Sequence, residues 1–154
     1  MSALWKEKDF VYLRSFCFRK QKALYNNERN CMRIKLLSLA SGSSGHCYYL
    51  GTDTYGILID AGIGVRTIKK HLKDYGLALE RVRAIFVTHD HADHIKSVGT
   101  LGEKYGIPVY STPEIHAGIN KNYCMTEKLT SASVRYIYKE EPLQLEDFKI
   151  TAFE

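Results

Sequence analysis

The sequence predicts a mixed α/β domain, in which α-helices are layered on β-sheet. Hydrophobic residues make up 45% and charged residues 25% of the 154 residues, which is typical of a globular chain rather than a disordered one. Short apolar runs with strand character come first, and from residue 65 onward stretches with a helical period alternate with further short runs. Such an alternation is typical of strands that are connected by helices.

The first 32 residues differ from the remainder in charge and in pattern. Residues 1–32 carry a net charge of +4, whereas residues 33–154 carry +1. They show no sustained period of 2 or 3.6 residues, and Met32 offers an alternative start. We interpret residues 1–32 as an amino-terminal extension, with a mis-set start as one explanation, and residues 33–154 as the domain. Because the positive charge is concentrated in this extension, the charge is weak support for a nucleic-acid partner.

Three apolar runs are predicted to form the first strands, at residues 34–39, 47–50 and 57–59. A Ser/Gly-rich loop at residues 41–45 separates the first two runs, and a polar turn at residues 51–54 separates the second from the third. This pattern indicates an antiparallel meander with one buried face.

The period then changes to that of helices. Apolar residues at helical spacing predict a first helix that ends at Gly76 and a second helix that is closed by Gly106 and Pro108. A third helix is predicted to begin at Pro113, because proline suits the first helical position. The apolar stripes consist of Val65, Ile68, Leu72 and Tyr75 in the first helix, and of Ile95, Val98, Leu101 and Tyr105 in the second.

Four later runs are predicted to be strands. Residues 84–87 and 109–111 alternate with the helices, and residues 134–138 and 148–153 follow them. The last run is followed by a single residue, without a turn or capping signal. Since a domain rarely ends in the middle of a strand, we expect this domain to be incomplete at its carboxy terminus.

A dense group of metal-binding side chains follows the strand at residues 84–87. Three of the six histidines lie within six positions, in the segment Thr-His-Asp-His-Ala-Asp-His at residues 88–94. The segment precedes the second predicted helix and therefore forms a strand-to-helix loop. Neutral imidazoles together with a carboxylate suit Zn²⁺, with Mn²⁺ or Fe²⁺ as alternatives.

The spacing within this segment predicts where its side chains point. His89 and His91 are two apart in an extended loop, so they point the same way, while Asp90 points elsewhere. Asp93 and His94 lie at the helix start, where the chain turns back towards the same cavity. The alternative interpretation is a polar loop in which Asp93 caps the helix and the histidines face solvent.

These residues carry a family resemblance. The His-x-His-x-Asp-His segment after an apolar strand resembles the metal motif of the metallo-β-lactamase-fold hydrolases. The strand that ends in Asp60-Ala61-Gly62 resembles the preceding motif of that superfamily, and Ser-Leu-Ala-Ser-Gly-Ser-Ser-Gly at residues 38–45 is similar to the YycJ/WalJ-like branch. The resemblance covers residues 33–154, roughly the amino-terminal half of such a domain. It implies an αββα sandwich that is incomplete at the carboxy terminus.

The resemblance also implies two divalent metal ions and a role for each residue of the motifs. His89 and His91 would bind the first ion, and Asp93 and His94 the second. Asp93 would also hold or deprotonate the attacking water. Asp60 would orient a ligand or the water without binding metal itself. The alternative for Asp60 is a turn-forming residue before a glycine.

This chain departs from the family pattern in two respects. The family takes a further His, a bridging Asp and a final His from its carboxy-terminal half, and none can be placed here because no histidine follows His116. The branch has Asn after the Ser/Gly loop, where this chain has His46. His46 is either an extra polar contact near the metals or a neutral surface change, and the surface change is the simpler interpretation. We interpret His71 as solvated and His116 as structural.

The function implied by the resemblance is that of a metal-dependent hydrolase. The branch implies a phosphodiesterase, namely a nuclease that acts on DNA or RNA ends with metal-activated water, so nucleic acid is the expected substrate. One alternative is a thioester or lactam hydrolase of the same fold. Another is a non-catalytic metal-binding fragment.

The cysteine pattern and the apolar runs bear on the compartment. Four cysteines without a Cys-x-x-Cys pair predict free thiols in a reducing cytosol. The longest apolar run near the amino end, residues 10–13, is too short for a signal peptide or a membrane span. We therefore predict a cytoplasmic protein without a membrane partner.

Overall fold

The computed structural model describes residues 34–153 with their side chains. Of the preceding part of the chain, it describes the backbone of three strands, β1 (Leu4–Glu7), β2 (Phe10–Leu13) and β3 (Phe16–Lys20). The chain divides into two compact units. One unit is Met32–Tyr136, and the other combines the amino-terminal strands with the residues from Ile137 onward. The interpretation of residues 1–32 as an extension stays a prediction.

The unit Met32–Tyr136 is built on a six-stranded mixed sheet. Its strands are β4 (Lys35–Ala40), β5 (Cys47–Gly51), β6 (Gly56–Ile59), β7 (Val82–Phe86), β8 (Val109–Ser111) and β9 (Val134–Tyr136). They lie side by side in chain order. β4, β5 and β6 pair antiparallel, which confirms the predicted meander, whereas the pairs from β6 to β9 are parallel.

The central strands of this sheet are more deeply buried than the sequence pattern indicated. Every residue of β5 and β6 is buried, so the expectation of one buried face is wrong. The physical reason is that both strands are near-continuous apolar runs without the apolar–polar alternation of a half-exposed strand, which is typical of strands that are covered on both faces. The buried hydroxyl of Tyr49 donates to the carbonyl of Thr52 at 2.8 Å.

Helices connect the parallel strands. They are α1 (Val65–Asp74) between β6 and β7, α2 (Ala92–Ile95) and α3 (Val98–Tyr105) between β7 and β8, and α4 (Pro113–Lys121) between β8 and β9. Pro113 takes the first position of α4, as predicted, and Thr112 caps that helix. Gly76 and Gly106 follow α1 and α3 with positive φ angles of 71° and 67°, which confirms the predicted helix ends.

Two tyrosines that the helical spacing assigned to the apolar stripes lie at the surface instead. Tyr75 is 50% and Tyr105 is 44% exposed, so that expectation is wrong. Tyr75 caps the carboxyl end of α1, and Tyr105 is the last residue of α3. At a helix end the chain turns away from the core, and the ring remains in solvent. Ile68 and Leu72 form the buried face of α1, as predicted.

The second unit contains a five-stranded antiparallel sheet. Its carboxy-terminal strands are β10 (Leu143–Leu145) and β11 (Phe148–Ala152), and the strand order is β1-β2-β3-β11-β10. β11 pairs with β3, which places Ile150 opposite Phe18. Buried and half-buried residues alternate along β11, as predicted for this run. The sequence analysis assigned no strand to residues 1–32 and therefore missed β1, β2 and β3.

Two sequence predictions about the environment of the chain can be compared with the described residues. Cys47 and Cys124 are free thiols, and burial raises the pKa of the Cys47 thiol. The side chains of Cys17 and Cys31 lie outside the described residues. Within the described part of the chain, no helix has the length and apolar character that crossing a membrane requires.

Candidate metal centre

The site lies at the carboxyl ends of two neighbouring parallel strands, β6 and β7. Ile59 and Phe86 are partners in this pair, so the residues that follow them meet at one edge of the sheet. The backbone N–H of Asp60 donates to the carbonyl of Phe86 at 2.8 Å. The Asp60 carboxylate accepts hydrogen bonds from the backbone N–H of Thr88 at 2.8 Å and from its hydroxyl at 2.7 Å.

Asp60 also determines which nitrogen of His94 carries the proton. Oδ2 of Asp60 lies 2.7 Å from Nδ1 of His94, and both side chains are buried. Because a carboxylate only accepts, Nδ1–H of His94 is the donor. In the neutral ring the lone pair is then on Nε2, the atom that faces Asp93 at 3.7 Å from Oδ2. His94 therefore presents a metal-ligating nitrogen towards Asp93.

Thr88 has the same effect on His89. Its single hydroxyl proton goes to Asp60, so towards Nδ1 of His89, at 3.0 Å, the Thr88 oxygen can only accept. Nδ1 of His89 is consequently the protonated nitrogen, and Nε2 carries the lone pair in the neutral ring. The sequence analysis missed Thr88, although its place directly before the first histidine was a usable signal.

The remaining residues of the loop point as the spacing predicted. The ring centroids of His89 and His91 are 5.9 Å apart, with the rings tilted by 50°, and the centroids of His89 and His94 are 5.0 Å apart. Asp90 points away from them, against α4, where its carboxylate occupies the space that a Cβ on Gly118 would take. The histidines therefore lie together on one side of the loop, with Asp90 on the other.

The backbone at Asp60 adopts a left-handed conformation with φ of 58°. A non-glycine residue in this region is uncommon, and aspartate tolerates it better than most residues because its short polar side chain bonds locally. Here the residue is 1% exposed and its side chain bonds residues of the next loop. A turn-forming role alone does not require these bonds to the histidine loop, and the role of Asp60 stays a prediction.

Three loops are joined by backbone hydrogen bonds around the site. The N–H of His46 donates to the carbonyl of Asp93, the N–H of Gly62 to that of His46, and the N–H of Ala61 to that of His94, each at 2.8 Å. A Cβ on Gly62 would overlap the backbone carbonyl of Asp93. Glycine is therefore required at position 62 for the close approach of these loops.

The structure places His46 inside the site, so its interpretation as a surface change is wrong. Its ring stacks on that of His94, with centroids 4.6 Å apart and an interplanar angle of 21°. Nε2 of His46 lies 3.7 Å from Oδ2 of Asp93. His46 follows the Ser/Gly loop, and its backbone hydrogen bonds to Asp93 and Gly62 hold the residue at this place. Sequence alone could not show that this loop reaches the helix that begins with residue 92.

The side chains in this centre fit a divalent metal ion. His46, Asp93 and His94 offer one ligand atom each, and these atoms all lie within 4.8 Å of one another. Two imidazoles and a carboxylate are a common ligand set for Zn²⁺. Asp93 and His94 are thus brought together as predicted, and the His89 and His91 rings lie beside them. Their individual roles stay predictions.

The other two histidines outside the motif lie apart from this centre. His71 is half-buried, and its Nδ1 lies 2.7 Å from the carbonyl oxygen of Leu39, so the expectation of a solvated ring is wrong. His116 is buried in α4, with Nε2 2.9 Å from the carbonyl oxygen of Arg135. Burial lowers the pKa of His116 below its ordinary value.

Comparison with known proteins decides the family. Residues 40–150 match the family model described as the metallo-beta-lactamase superfamily. The chain belongs to this superfamily. The resemblance drawn from the His-x-His-x-Asp-His segment is confirmed.

Two curated relatives that the chain resembles are both named exodeoxyribonuclease. Exodeoxyribonuclease YycJ of Bacillus anthracis is 45% identical over 80 residues, which are 52% of this chain and 30% of that protein. Exodeoxyribonuclease WalJ of Streptococcus pneumoniae is 44% identical over 78 residues, which are 51% of this chain and 29% of that protein. The matched part of the chain thus spans less than a third of these relatives' length, and the predicted similarity to the YycJ/WalJ-like branch is confirmed.

A solved structure supports the superfamily fold. The chain is similar to BJP-1, a subclass B3 metallo-beta-lactamase of Bradyrhizobium japonicum, with a TM-score of 0.63 and 16% identity. The similarity covers 79% of this chain and 49% of that one. At this identity the comparison establishes the fold alone, and it confirms the predicted metallo-β-lactamase architecture.

Proposed function

We propose that this protein is a metal-dependent nuclease that hydrolyses phosphodiester bonds. The observation that carries the metal-dependent part of the proposal is the hydrogen-bonded chain from Asp60 through Thr88 to His89, together with the direct bond from His94 to Asp60. Through these bonds both histidines carry the proton on Nδ1 and the lone pair on Nε2. This is how histidines that bind metal are usually held.

The ligand set of the proposal comprises four residues. His89 and His91 would hold one divalent ion, and Asp93 and His94 would hold a second. Zn²⁺ is the ion we propose, with Mn²⁺ and Fe²⁺ as alternatives, because imidazole and carboxylate ligands suit all three. When bound, such ions lower the pKa of water and neutralise charge that develops on phosphoryl oxygens.

Asp93 and Asp60 would have different roles because their surroundings differ. The Asp93 side chain is 38% exposed, so it can contact a water molecule at the mouth of the site and accept its proton. Asp60 is buried beneath the histidines and would act only through them, by keeping the His94 ring in place. We therefore propose Asp93 as the catalytic residue and Asp60 as a positioning residue.

Nucleic acid is the substrate we favour. Two relatives at 45% and 44% identity carry the name exodeoxyribonuclease, whereas the lactamase neighbour is only 16% identical and bears on the fold alone. We include a cytoplasmic location in the proposal, because Cys47 and Cys124 are free thiols.

The test is a substrate panel with the natural protein. We expect it to release nucleotides from end-labelled DNA or RNA, to lose this activity with a chelator, and to regain it with Zn²⁺ or Mn²⁺. Asp93→Asn should lower the rate roughly 100-fold or more, because a positioned general base contributes about that much. His71→Asn is the matched control and should retain the activity, since His71 lies outside the centre.

The same panel decides between the alternatives. Turnover of a thioester or a lactam without cleavage of nucleic acid would replace the proposed substrate while keeping the metal chemistry. Zinc binding without turnover of any substrate would show that the protein is a metal-binding protein and not a hydrolase.

A further inference from the structure

His46 is placed beside the predicted metal ligands by its own backbone. Its N–H and carbonyl bond Asp93 and Gly62 respectively, both at 2.8 Å. The preceding residue, Gly45, has φ of 145°, and a Cβ there would overlap the carbonyl of Gly62. The position of the His46 backbone, and with it the direction of its Cα–Cβ bond, is therefore set by the fold of three loops.

The Asp93 carboxylate lies equally far from the rings of His46 and His94. Oδ2 of Asp93 lies 3.7 Å from Nε2 of His46 and 3.7 Å from Nε2 of His94. Both distances exceed that of a hydrogen bond. In a tetrahedral zinc site, ligand atoms that lie about 2.0–2.2 Å from the ion are roughly 3.4 Å from one another. The two distances to Oδ2 of Asp93 are thus within a few tenths of an ångström of the spacing of ligands that share one ion, and the ligand atoms of all three residues lie within 4.8 Å of one another.

The stacked rings favour the same interpretation. His46 and His94 lie nearly parallel, with centroids 4.6 Å apart, and both direct Nε2 towards the same carboxylate oxygen. His46 is half-buried and His94 is buried, so the group is partly withdrawn from water. A divalent cation would neutralise the Asp93 carboxylate there and use both nitrogens.

We propose that His46 is a further ligand of the metal ion held by Asp93 and His94, through its Nε2 atom. The inference rests on the proposed function in one respect, namely that this centre binds a divalent metal. It adds a ligand from the loop between β4 and β5, which the His-x-His-x-Asp-His segment does not contain.

The test measures zinc affinity in the natural protein, in His46→Asn and in the matched control His71→Asn, by competition with a chromophoric chelator. We expect His46→Asn to weaken the zinc site that Asp93→Asn also weakens, by roughly 10- to 100-fold. His71→Asn should bind zinc like the natural protein. Circular dichroism establishes that each variant is folded.

A second measurement avoids the variant's stability altogether. In the ¹⁵N-labelled natural protein, the His46 Nε2 resonance, assigned by sequential assignment, should shift on addition of Zn²⁺. A loss of affinity without this shift would overturn the proposal, because His46 would then act through stacking alone.

The outcomes also separate this proposal from the proposed function. Zinc binding that is equal in the natural protein and in His46→Asn, without a shift at His46, removes His46 from the ligand set and leaves the nuclease proposal intact. A natural protein that binds none of Zn²⁺, Mn²⁺ and Fe²⁺ overturns both.

Discussion

Two loops at the same edge of the sheet contribute different kinds of residue to the candidate metal centre. The histidine loop, residues 88–94, carries the four predicted ligands, and its side chains range from the exposed His91 to the buried His94. The aspartate loop, residues 60–62, is buried throughout and carries no predicted ligand. Yet the aspartate loop bonds Thr88, His94 and His46. The comparison teaches that one loop carries the predicted ligands, while the other bonds and orients their side chains.

The largest expected effect comes from separating the two loops. Gly62→Ala would place a Cβ against the carbonyl of Asp93, so the loops must move apart. We expect the free energy of unfolding to fall by about 3 kcal/mol and zinc affinity to be lost. Chemical denaturation and chelator competition measure the two effects.

Gly42→Ala is the control for this prediction. A Cβ at Gly42 meets nothing within 4 Å, and its effect on the free energy of unfolding should stay within about 0.5 kcal/mol. Equal stability and equal zinc affinity of the two variants would mean that the centre does not need the close approach at Gly62.

A smaller effect should follow from removing one hydroxyl between the loops. Thr88→Val keeps the shape of the side chain but removes the donor to Asp60 and the acceptor for Nδ1 of His89. We expect zinc affinity to fall about 10-fold. The unfolding free energy should fall by about 1–3 kcal/mol, since a buried carboxylate oxygen loses a partner.

Thr88→Ser restores the hydroxyl and separates its contribution from that of the methyl group. It should recover most of the zinc affinity that Thr88→Val loses. If serine and valine weaken zinc binding equally, the hydroxyl does not set the orientation of His89, and the comparison between the loops loses its central contact.

The smallest effect concerns a histidine outside both loops. Burial lowers the pKa of His116, so the folded protein keeps this ring neutral, while the unfolded chain takes up a proton near the ordinary value of 6.5. Stability is therefore retained above that value and falls as the pH drops below it. His116→Asn should lose less stability than the natural protein between pH 7 and pH 5, as measured by urea unfolding. An unchanged pH dependence would contradict a protonation cost at this site.

The sequence pointed to the histidine loop as the candidate site, because the metal-binding residue types are concentrated in seven consecutive positions. It also predicted the strands and helices on either side, and therefore the loop's place in the fold. Thr88 was missed, and His46 was interpreted as a surface change, for different reasons. Thr88 is an ordinary residue whose importance depends on Asp60, and Asp60 reaches it only through the pairing of β6 with β7.

His46 could not be assigned correctly without the structure. Its distance from Asp93 depends on the backbone bonds that join three loops, and no local pattern reveals such bonds. The predicted burial of Tyr75 and Tyr105 was wrong for a related reason. Helical spacing gives the direction of a side chain but does not reveal how far the core extends past the helix end. Local chemistry is visible in a sequence, whereas proximity across a sheet is not.

The bonds that join the three loops also bear on the order of folding. The partners His46, Gly62 and Asp93 belong to connections that follow β4, β6 and β7, so their meeting depends on the placing of these strands in one sheet. Contacts between such distant segments form late, because the chain must first close long loops. Metal uptake by the complete group of His46, Asp93 and His94 would then mark the end of folding, and a nascent chain that stops before β7 would have only fragments of the group to offer.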